Sequence, residues 1–344
     1  MKEFRISIDD ADQRLDKYCA RILKEAPISF FYKMFRKKNI TLNGKKAKGN
    51  ELLRENDVIR FFLSDETFDK FLKIGENQHA ENLSDFSISV VYEDEHVLIV
   101  NKPAGILSQK AKEDSVSMNE YCLAYLQSKG LYDPKDPFAF QPSVCNRLDR
   151  NTSGLLLCSK SLQGARLLSK ILKDRSVHKY YACIVKGTVR EPFLLEGYLK
   201  KDEKNNKVQI LEEPAEDADP IKTRVYPVIN DGELSLLKIE LITGKTHQIR
   251  AHLSSIDHPI LGDQKYGDPA LNKKYRCSSQ LLHAYRLEMP ELKEPFSDLS
   301  GKVIEIPFPN TFAKYINLEG LEHGDLEQQG SSRLNTGRPH QQDK

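Results

Sequence analysis

Apolar positions in the first sixty residues recur at a helical period and then at a strand period. Leu15, Tyr18, Cys19, Ile22 and Leu23 fall at i, i+3, i+4, i+7 and i+8, which predicts a helix with one buried stripe. After Pro27, Ser29 is placed to cap a second short helix that buries Phe31, Met34 and Phe35 and ends in Arg36-Lys37-Lys38. Ile40-Thr41-Leu42 alternates as a strand, Asn43-Gly44 is a strong hairpin signal, and Asp57 to Phe62 predicts another strand. These elements define a small ααβ-type unit over 12–63. Residues 64–87 are charged and weakly periodic and read as a linker, in part helical. From Ile88 the texture changes, with two apolar strands around an acidic turn, stopped by Lys102-Pro103-Ala104-Gly105. Further strands are predicted at 154–159, 180–186, 223–229 and 234–242, and helices near 116–128, 161–174 and 246–255. The strands follow one another without regular βαβ alternation, so the expected class is α+β, with a mixed or antiparallel sheet in a larger domain over 88–315. Residues 319–344 hold only three leucines among Gly, Gln, Ser, Asn and charges, and are expected to be a disordered tail.

Composition narrows the class. The chain has 344 residues, 39% hydrophobic and 30% charged, with a mean hydropathy of −0.55. That suits about two compact domains at roughly 150 residues each. No apolar run reaches the ~18 residues of a membrane helix, and the charged N-terminus lacks the apolar core of an export signal. The six cysteines stand far apart with no Cys-x-x-Cys pair, so they read as reduced thiols of a cytoplasmic protein. The net charge of +2 is unevenly spread: residues 14–60 carry thirteen Lys/Arg against five Asp/Glu, a local +8 that leaves −6 for the rest. A basic module on a mildly acidic body is the pattern of a protein that delegates binding of a polyanion to one end.

Three segments of the larger domain could carry chemistry. In Cys145-Asn-Arg-Leu-Asp-Arg-Asn-Thr-Ser-Gly-Leu-Leu-Leu157 a polar loop bearing Asp149 runs into an apolar strand, which would fix a carboxylate on the rim of a sheet. The commoner use of such a loop is an Asx or Ser/Thr turn introducing the strand. Thr243-Gly-Lys-Thr-His-Gln-Ile-Arg-Ala-His252 contains Gly-Lys-Thr, but a phosphate-binding loop needs a glycine where Ile239 stands. His247 and His252 are five apart with no Glu between them, which is not a zinc-helix spacing, so no metal is expected. Taken alone, this segment is a helix start with Gln and Arg facing a neighbouring loop. In Val177-His-Lys-Tyr-Tyr-Ala-Cys-Ile-Val-Lys-Gly187 adjacent tyrosines on a strand point to opposite faces, so one packs and the other is free to line a cleft.

Together these segments resemble the RluA-type family of RNA pseudouridine synthases. The family's His-Arg-Leu-Asp-x-x-Thr-Ser-Gly-Leu signature stands here as Asn146 to Leu155, and its opening motif is similar to Tyr92 to Gly105. Lys179-Tyr-Tyr181 matches its Lys-x-Tyr, Gly244 to Arg250 its Gly-Arg-Thr-His-Gln-x-Arg, and Leu282 to Leu287 its closing motif. The basic unit resembles the S4 RNA-binding domain of the RluC/RluD-like branch. The resemblance covers residues from about 12 to about 310 in the family's order. It departs at two positions, Asn146 for the usual His and Lys245 for the usual Arg.

The resemblance implies an isomerase acting on RNA, expected to be large-subunit ribosomal RNA, with Asp149 as catalytic carboxylate. Tyr181 would be the active-site tyrosine and Arg250 the carboxylate's partner, with Arg147 filling the space left by the flipped base. Arg36, Lys37, Lys38, Lys45, Lys46 and Lys48 are the candidate RNA contacts of the basic unit. The reaction needs no cofactor, and a monomer is expected. The carboxylate serves either as nucleophile at the sugar or as base at C2′, and the sequence does not choose. The rival from another class is a non-enzymatic RNA-binding protein, which would have no use for Asp149, Tyr181 and Arg250 together. A metal-dependent nuclease is a more distant third.

Overall fold

The computed structural model describes residues 1–72, 87–111, 115–136, 138–202 and 207–318. Most of the segment read as a linker and the whole of the tail at 319–344 lie outside the described residues. The chain divides into two units, one of residues 1–100, 107–147 and 156–170, the other of 101–106, 148–155 and 171 onward.

The first unit opens with β1 (Lys2–Arg5), α1 (Leu15–Ile22), α2 (Ile28–Arg36), β2 (Ile40–Leu42), β3 (Lys45–Lys46) and β4 (Val58–Phe61). The strands form a sheet in the order β1-β4-β2-β3, antiparallel throughout. The apolar stripe of α1 and the Phe31, Met34, Phe35 face of α2 are buried in one core with Ile40, Ile59 and Phe61. Asn43 (φ 51°) and Gly44 (φ 74°) both take left-handed backbone between β2 and β3, as a two-residue hairpin of right-handed twist requires. Ser29 does not cap α2. The helix begins two residues earlier than a Ser29 cap implies, with Pro27 at φ −67° in the capping position and no side-chain cap, because proline's fixed φ sets the entry and its missing N–H costs nothing there. The sequence reading also missed β1, a four-residue strand whose side chains alternate only between half-buried and exposed.

A third helix, α3 (Asp65–Phe71), is capped by Ser64, whose Oγ accepts from Thr67 N at 3.2 Å. It occupies the start of the predicted linker, and Phe68 packs into the same core. The unit continues through β5 (Ser89–Glu93) and β6 (Val97–Lys102). Asp94 forms the acidic turn between them, accepting from His96 N at 2.8 Å and Val97 N at 2.7 Å. Then come α4 (Met118–Ser128), closed at its start by a Ser117–Glu120 capping box, β7 (Ser143–Val144), β8 (Ser153–Ser159) and α5 (Leu162–Lys173). The division falls inside β6, β8 and α5, so residues 101–102, 153–155 and 171–173 belong to the second unit.

The second unit holds β9 (His178–Lys186), β10 (Phe193–Asp202), β11 (Lys207–Leu211), β12 (Ala218–Asn230), β13 (Leu234–Leu241), α6 (Gln248–Ser254), α7 (Pro269–Lys274), β14 (Leu282–Glu288) and β15 (Val303–Glu305). Its strands run in the order β11-β10-β12-β13-β9-β14-β8, antiparallel except where β14 meets β8 in parallel. The chain is therefore α+β with a mixed sheet. Strand β12 begins five residues before the predicted start, because Ala218 to Val225 pair with β10 although the polar residues Asp219, Lys222 and Arg224 break the apolar pattern. Gly154 sets the β8–β14 approach: its φ is 113°, and a Cβ there would lie 2.2 Å from the carbonyl oxygen of Ala284.

Two histidines are locked neutral in this unit. His252, 2% exposed, shares a 3.0 Å hydrogen bond with Thr223 Oγ1, and His283, also 2% exposed, shares one of 2.8 Å with Ser153 Oγ. Burial pushes both down to about 4. The unfolded chain titrates them near 6.5, so between pH 6.5 and 4 it binds more protons than the folded chain. Their contribution, of order 2–3 kcal/mol each, is complete above pH 6.5 and is lost as pH falls towards 4. Melting temperature is expected to decline over that window, with a smaller decline in His252→Gln than in the parent. A flat profile from pH 7 to 4.5 would contradict this.

Candidate active site

All the groups that converge on Asp149 belong to the second unit. Asp149 sits in the turn leading into β8, where its carbonyl accepts from Thr152 N at 3.0 Å and Gln280 Nε2 donates to Thr152 Oγ1 at 2.8 Å. The turn closes backbone to backbone and not through the Asp149 carboxylate, as an Asx turn would, so the carboxylate stays available. Lys102 anchors it from behind. Its side chain is fully buried, and Nζ donates to the carbonyls of Pro103 (2.9 Å), Ile106 (2.7 Å) and Arg150 (3.0 Å). All three ammonium protons are used, and one of them holds the residue next to Asp149. Burial brings Lys102 down to about 8, with the charge of Asp149 working in the opposite direction. Arg150 Nε and the Gly105 carbonyl complete the clasp at 2.9 Å.

Arg250 faces the carboxylate from α6. Its Nη1 donates to Asp149 Oδ2 at 2.7 Å, while Nε and Nη2 grip Asp263 Oδ2 and Oδ1 at 2.7 and 2.9 Å. Burial disfavours the Arg250 cation, but its bonds to Asp263 and the charges of Asp263 and Asp149 outweigh that and hold it above the ordinary arginine range. For Asp263, whose side chain is 0% exposed, burial opposes ionisation. The bonds from Arg250 and from the backbone N–H groups of Lys265 and Tyr266 still leave it below the usual carboxylate range. The guanidinium is clamped on one edge by a bidentate carboxylate and presents the other to Asp149. Asp149 Oδ1 accepts no hydrogen bond among the described residues.

Local structure explains why α6 delivers Arg250. Gln248, 2% exposed, accepts from Thr243 Oγ1 at 2.9 Å and donates to the Lys222 carbonyl and Thr223 Oγ1 at 3.0 Å each. That pins the first turn of the helix onto β12. His247 caps it in left-handed backbone, φ 55°, with Nδ1 3.0 Å from Tyr266 Oη. Tyr266 lies under the Arg250 guanidinium at 5.2 Å and accepts from Val208 N at 2.8 Å. Burial lowers the His247 titration point, the charge of Asp149 raises it and that of Arg250 lowers it, so the ring lies within the field of both.

The tyrosines divide as the strand period requires. Tyr181 is 7% exposed, and burial, then the negative charge of Asp149, raises its phenol well above the usual value. Its hydroxyl has no hydrogen-bond partner among the described residues. Tyr180 bonds instead to Glu288 at 3.2 Å. Asn146, in place of the usual histidine, accepts from Leu157 N at 2.8 Å through its side-chain oxygen, a bond that needs no imidazole. Lys245, in place of the usual arginine, pairs with Asp219 at 2.7 Å, away from the carboxylate. Arg147 is exposed. Arg36, Lys37, Lys38, Lys45, Lys46 and Lys48 are exposed in the first unit and take part in no ion pair among the described residues. Other cations there do, as in Arg14–Asp16, Arg21–Asp10 and Arg60–Glu3. The described residues contain no group of three or more His, Cys, Asp or Glu able to hold a metal ion, and no helix long and apolar enough to cross a membrane.

Sequence reasoning missed Lys102, Asp263, His247 and Tyr266 as contributors. Lys102 lies in the stretch Tyr92–Gly105 that resembles the family's opening motif and stops a strand, but neither reading assigns it a role, and a lysine carries no pattern announcing burial. Asp263 follows Gly262 as an ordinary turn pair would, and its partnership with Arg250 is long-range.

Residues 96–255, which include Asp149, Tyr181 and Arg250, match the RNA pseudouridylate synthase family, and residues 13–59 match the S4 domain. The chain is 30% identical over 295 residues to an uncharacterized RNA pseudouridine synthase of Mycoplasma genitalium, covering 85% of this chain and 90% of that one. It is 32% identical over 303 residues to ribosomal large subunit pseudouridine synthase C of Haemophilus ducreyi, covering 85% and 89%. It is 32% identical over 240 residues to ribosomal large subunit pseudouridine synthase D of Borreliella burgdorferi, covering 68% and 69%. Among solved structures, human RNA pseudouridylate synthase domain containing 4 shares the fold, with a TM-score of 0.54 at 20% identity over 68% of this chain and 93% of that one. With an S4 domain ahead of a mixed-sheet catalytic domain, the chain belongs to the RNA pseudouridine synthase family and is an isomerase.

Proposed function

We propose that this chain converts specific uridines of large-subunit ribosomal RNA to pseudouridine in the cytoplasm, as a monomer without a cofactor, using Asp149 as its catalytic carboxylate. The observation that carries the reading is the divided carboxylate: Oδ2 is held at 2.7 Å by Arg250, and Oδ1 is left for the substrate. Relatives named for the large ribosomal subunit in Haemophilus ducreyi and Borreliella burgdorferi support the choice of RNA. The reaction breaks N1–C1′, turns the uracil and forms C5–C1′; one proton leaves C5 and N1 gains one, so product and substrate are isomers. No electron or group donor enters, and both routes open to the carboxylate, attack at the sugar or removal of a C2′ proton, need an unprotonated oxygen. Arg250, itself fixed by Asp263, keeps that oxygen in place without reorganisation during the reaction. The target base must leave its stack at a cost of a few kcal/mol. Arg147 takes its place in the RNA, and Tyr181 stacks on the extruded uracil and helps move the C5 proton.

The exposed cations Arg36, Lys37, Lys38, Lys45, Lys46 and Lys48 of the first unit bind the phosphates. Neutralising Arg36, Lys37, Lys38 and Lys46 is expected to weaken RNA binding and to reduce its salt slope by about 0.7–0.9 for each phosphate no longer neutralised. The single-turnover rate at saturating protein should hold, since Asp149 belongs to the other unit. An unchanged slope would displace the binding surface. The proposed activity is tested by incubating chelator-treated protein with large-subunit ribosomal RNA and no additive. Pseudouridine at discrete positions is expected, and none after prolonged incubation with folded protein would contradict the reading.

A further inference from the structure

Helix α2 presents an outward stripe that phosphate binding alone does not explain. Ile28 (62% exposed), Tyr32 (38% exposed) and the exposed Arg36 recur every fourth residue. A large aromatic half in solvent is ordinary when loosely held, but Tyr32 is fixed. Its hydroxyl donates to Asp16 Oδ2 at 2.9 Å, and Asp16 is in turn forked by Arg14 Nε and Nη2 at 3.1 and 2.7 Å. The ring stands edge-on to Phe35 with centroids 6.0 Å apart. Gly49 backs it so closely that a Cβ there would lie 3.4 Å from Tyr32 Cε1 and 2.7 Å from Phe35 Cε2. Arg36 lies one helical turn on from Tyr32, and Lys48 immediately precedes Gly49; both are exposed. Both cations lack an ion-pair partner among the described residues, whereas Arg14 is neutralised by Asp16.

We propose that Tyr32 is a stacking platform for an unpaired base of the RNA substrate, with Arg36 and Lys48 on the flanking phosphates. The proposal rests on the reading of this unit as RNA-binding and names what it binds: a single-stranded nucleotide, since a base inside a duplex offers no free face. An aromatic face between cations accepts any base, and a ring already locked gives up little freedom on binding. Stacking releases no counterions, which separates it from phosphate binding.

Affinity for a transcript of large-subunit ribosomal RNA is measured against salt for Tyr32→Leu, Tyr32→Phe and Arg36→Gln, with melting temperatures confirming the fold. Tyr32→Leu should bind about ten-fold more weakly with its salt slope unchanged. Tyr32→Phe should stay near the parent, and Arg36→Gln should lose slope. The chain has no tryptophan, so Tyr32→Trp adds a single fluorophore whose emission should be quenched by RNA. Parent-like binding by Tyr32→Leu, with slope lost in Arg36→Gln, would overturn the stacking and leave the RNA surface standing. Parent-like behaviour in both would overturn the surface as well.

Discussion

Asp149→Asn is expected to lower turnover on ribosomal RNA by at least about 10⁴-fold, with RNA affinity and melting temperature close to the parent. The amide has the shape of the carboxylate, so the turn held by Lys102 and Thr152 has no cause to move. Arg250 keeps its two bonds to Asp263, so no buried cation is stranded. What disappears is the anionic oxygen, and neither attack at the sugar nor removal of a C2′ proton proceeds without it. Single-turnover rates at saturating protein, beside binding curves, separate chemistry from affinity. Turnover within ten-fold of the parent would remove Asp149 from its role.

Arg250→Leu is expected to damage both chemistry and fold. It leaves the Asp263 carboxylate, 0% exposed, with only the backbone donors of Lys265 and Tyr266. Breaking one side of such a buried pair costs about 3–5 kcal/mol. Turnover should fall by about 10²-fold or more as Asp149 loses the bond that orients it. Removing both charges in Arg250→Leu/Asp263→Leu should recover most of the stability, because no buried ion is left unpaired, but none of the activity. Lys245→Ala breaks a half-exposed pair with Asp219 and should change stability by no more than about 1 kcal/mol. Denaturant unfolding and single-turnover rates distinguish these cases. A folded Arg250→Leu with parent turnover would make the ion pair irrelevant to catalysis.

The local signals in the sequence are strong where periodicity is strong. The α1 stripe, the Asn43-Gly44 hairpin and the β8 apolar run each state their structure within a few residues. Strands β10 and β11 are not legible, because their half-exposed faces interleave lysines and glutamates with apolar residues and show no clean alternation. Strand β1 is four residues long and owes its existence to β4, more than fifty positions away. The start of α2 is misread because serine is the better-known cap, although the proline two positions earlier already sets the backbone.

The site divides in the same way. Asp149 and Arg250 are found because each lies in a continuous motif, and the fold brings them to 2.7 Å. Asp263 and Lys102 act by burial and by partners elsewhere in the chain, which no local spacing encodes. The replacement at Asn146 becomes intelligible only once its oxygen is seen to accept from Leu157 N.

The central claim is tested most directly by mapping pseudouridine across large-subunit ribosomal RNA from cells that lack this protein and are complemented with the parent or with Asp149→Asn. The account predicts that discrete pseudouridines vanish without the protein, return with the parent and stay absent with Asp149→Asn. A pattern unchanged by loss of the protein, or restored by Asp149→Asn at comparable expression, would contradict it.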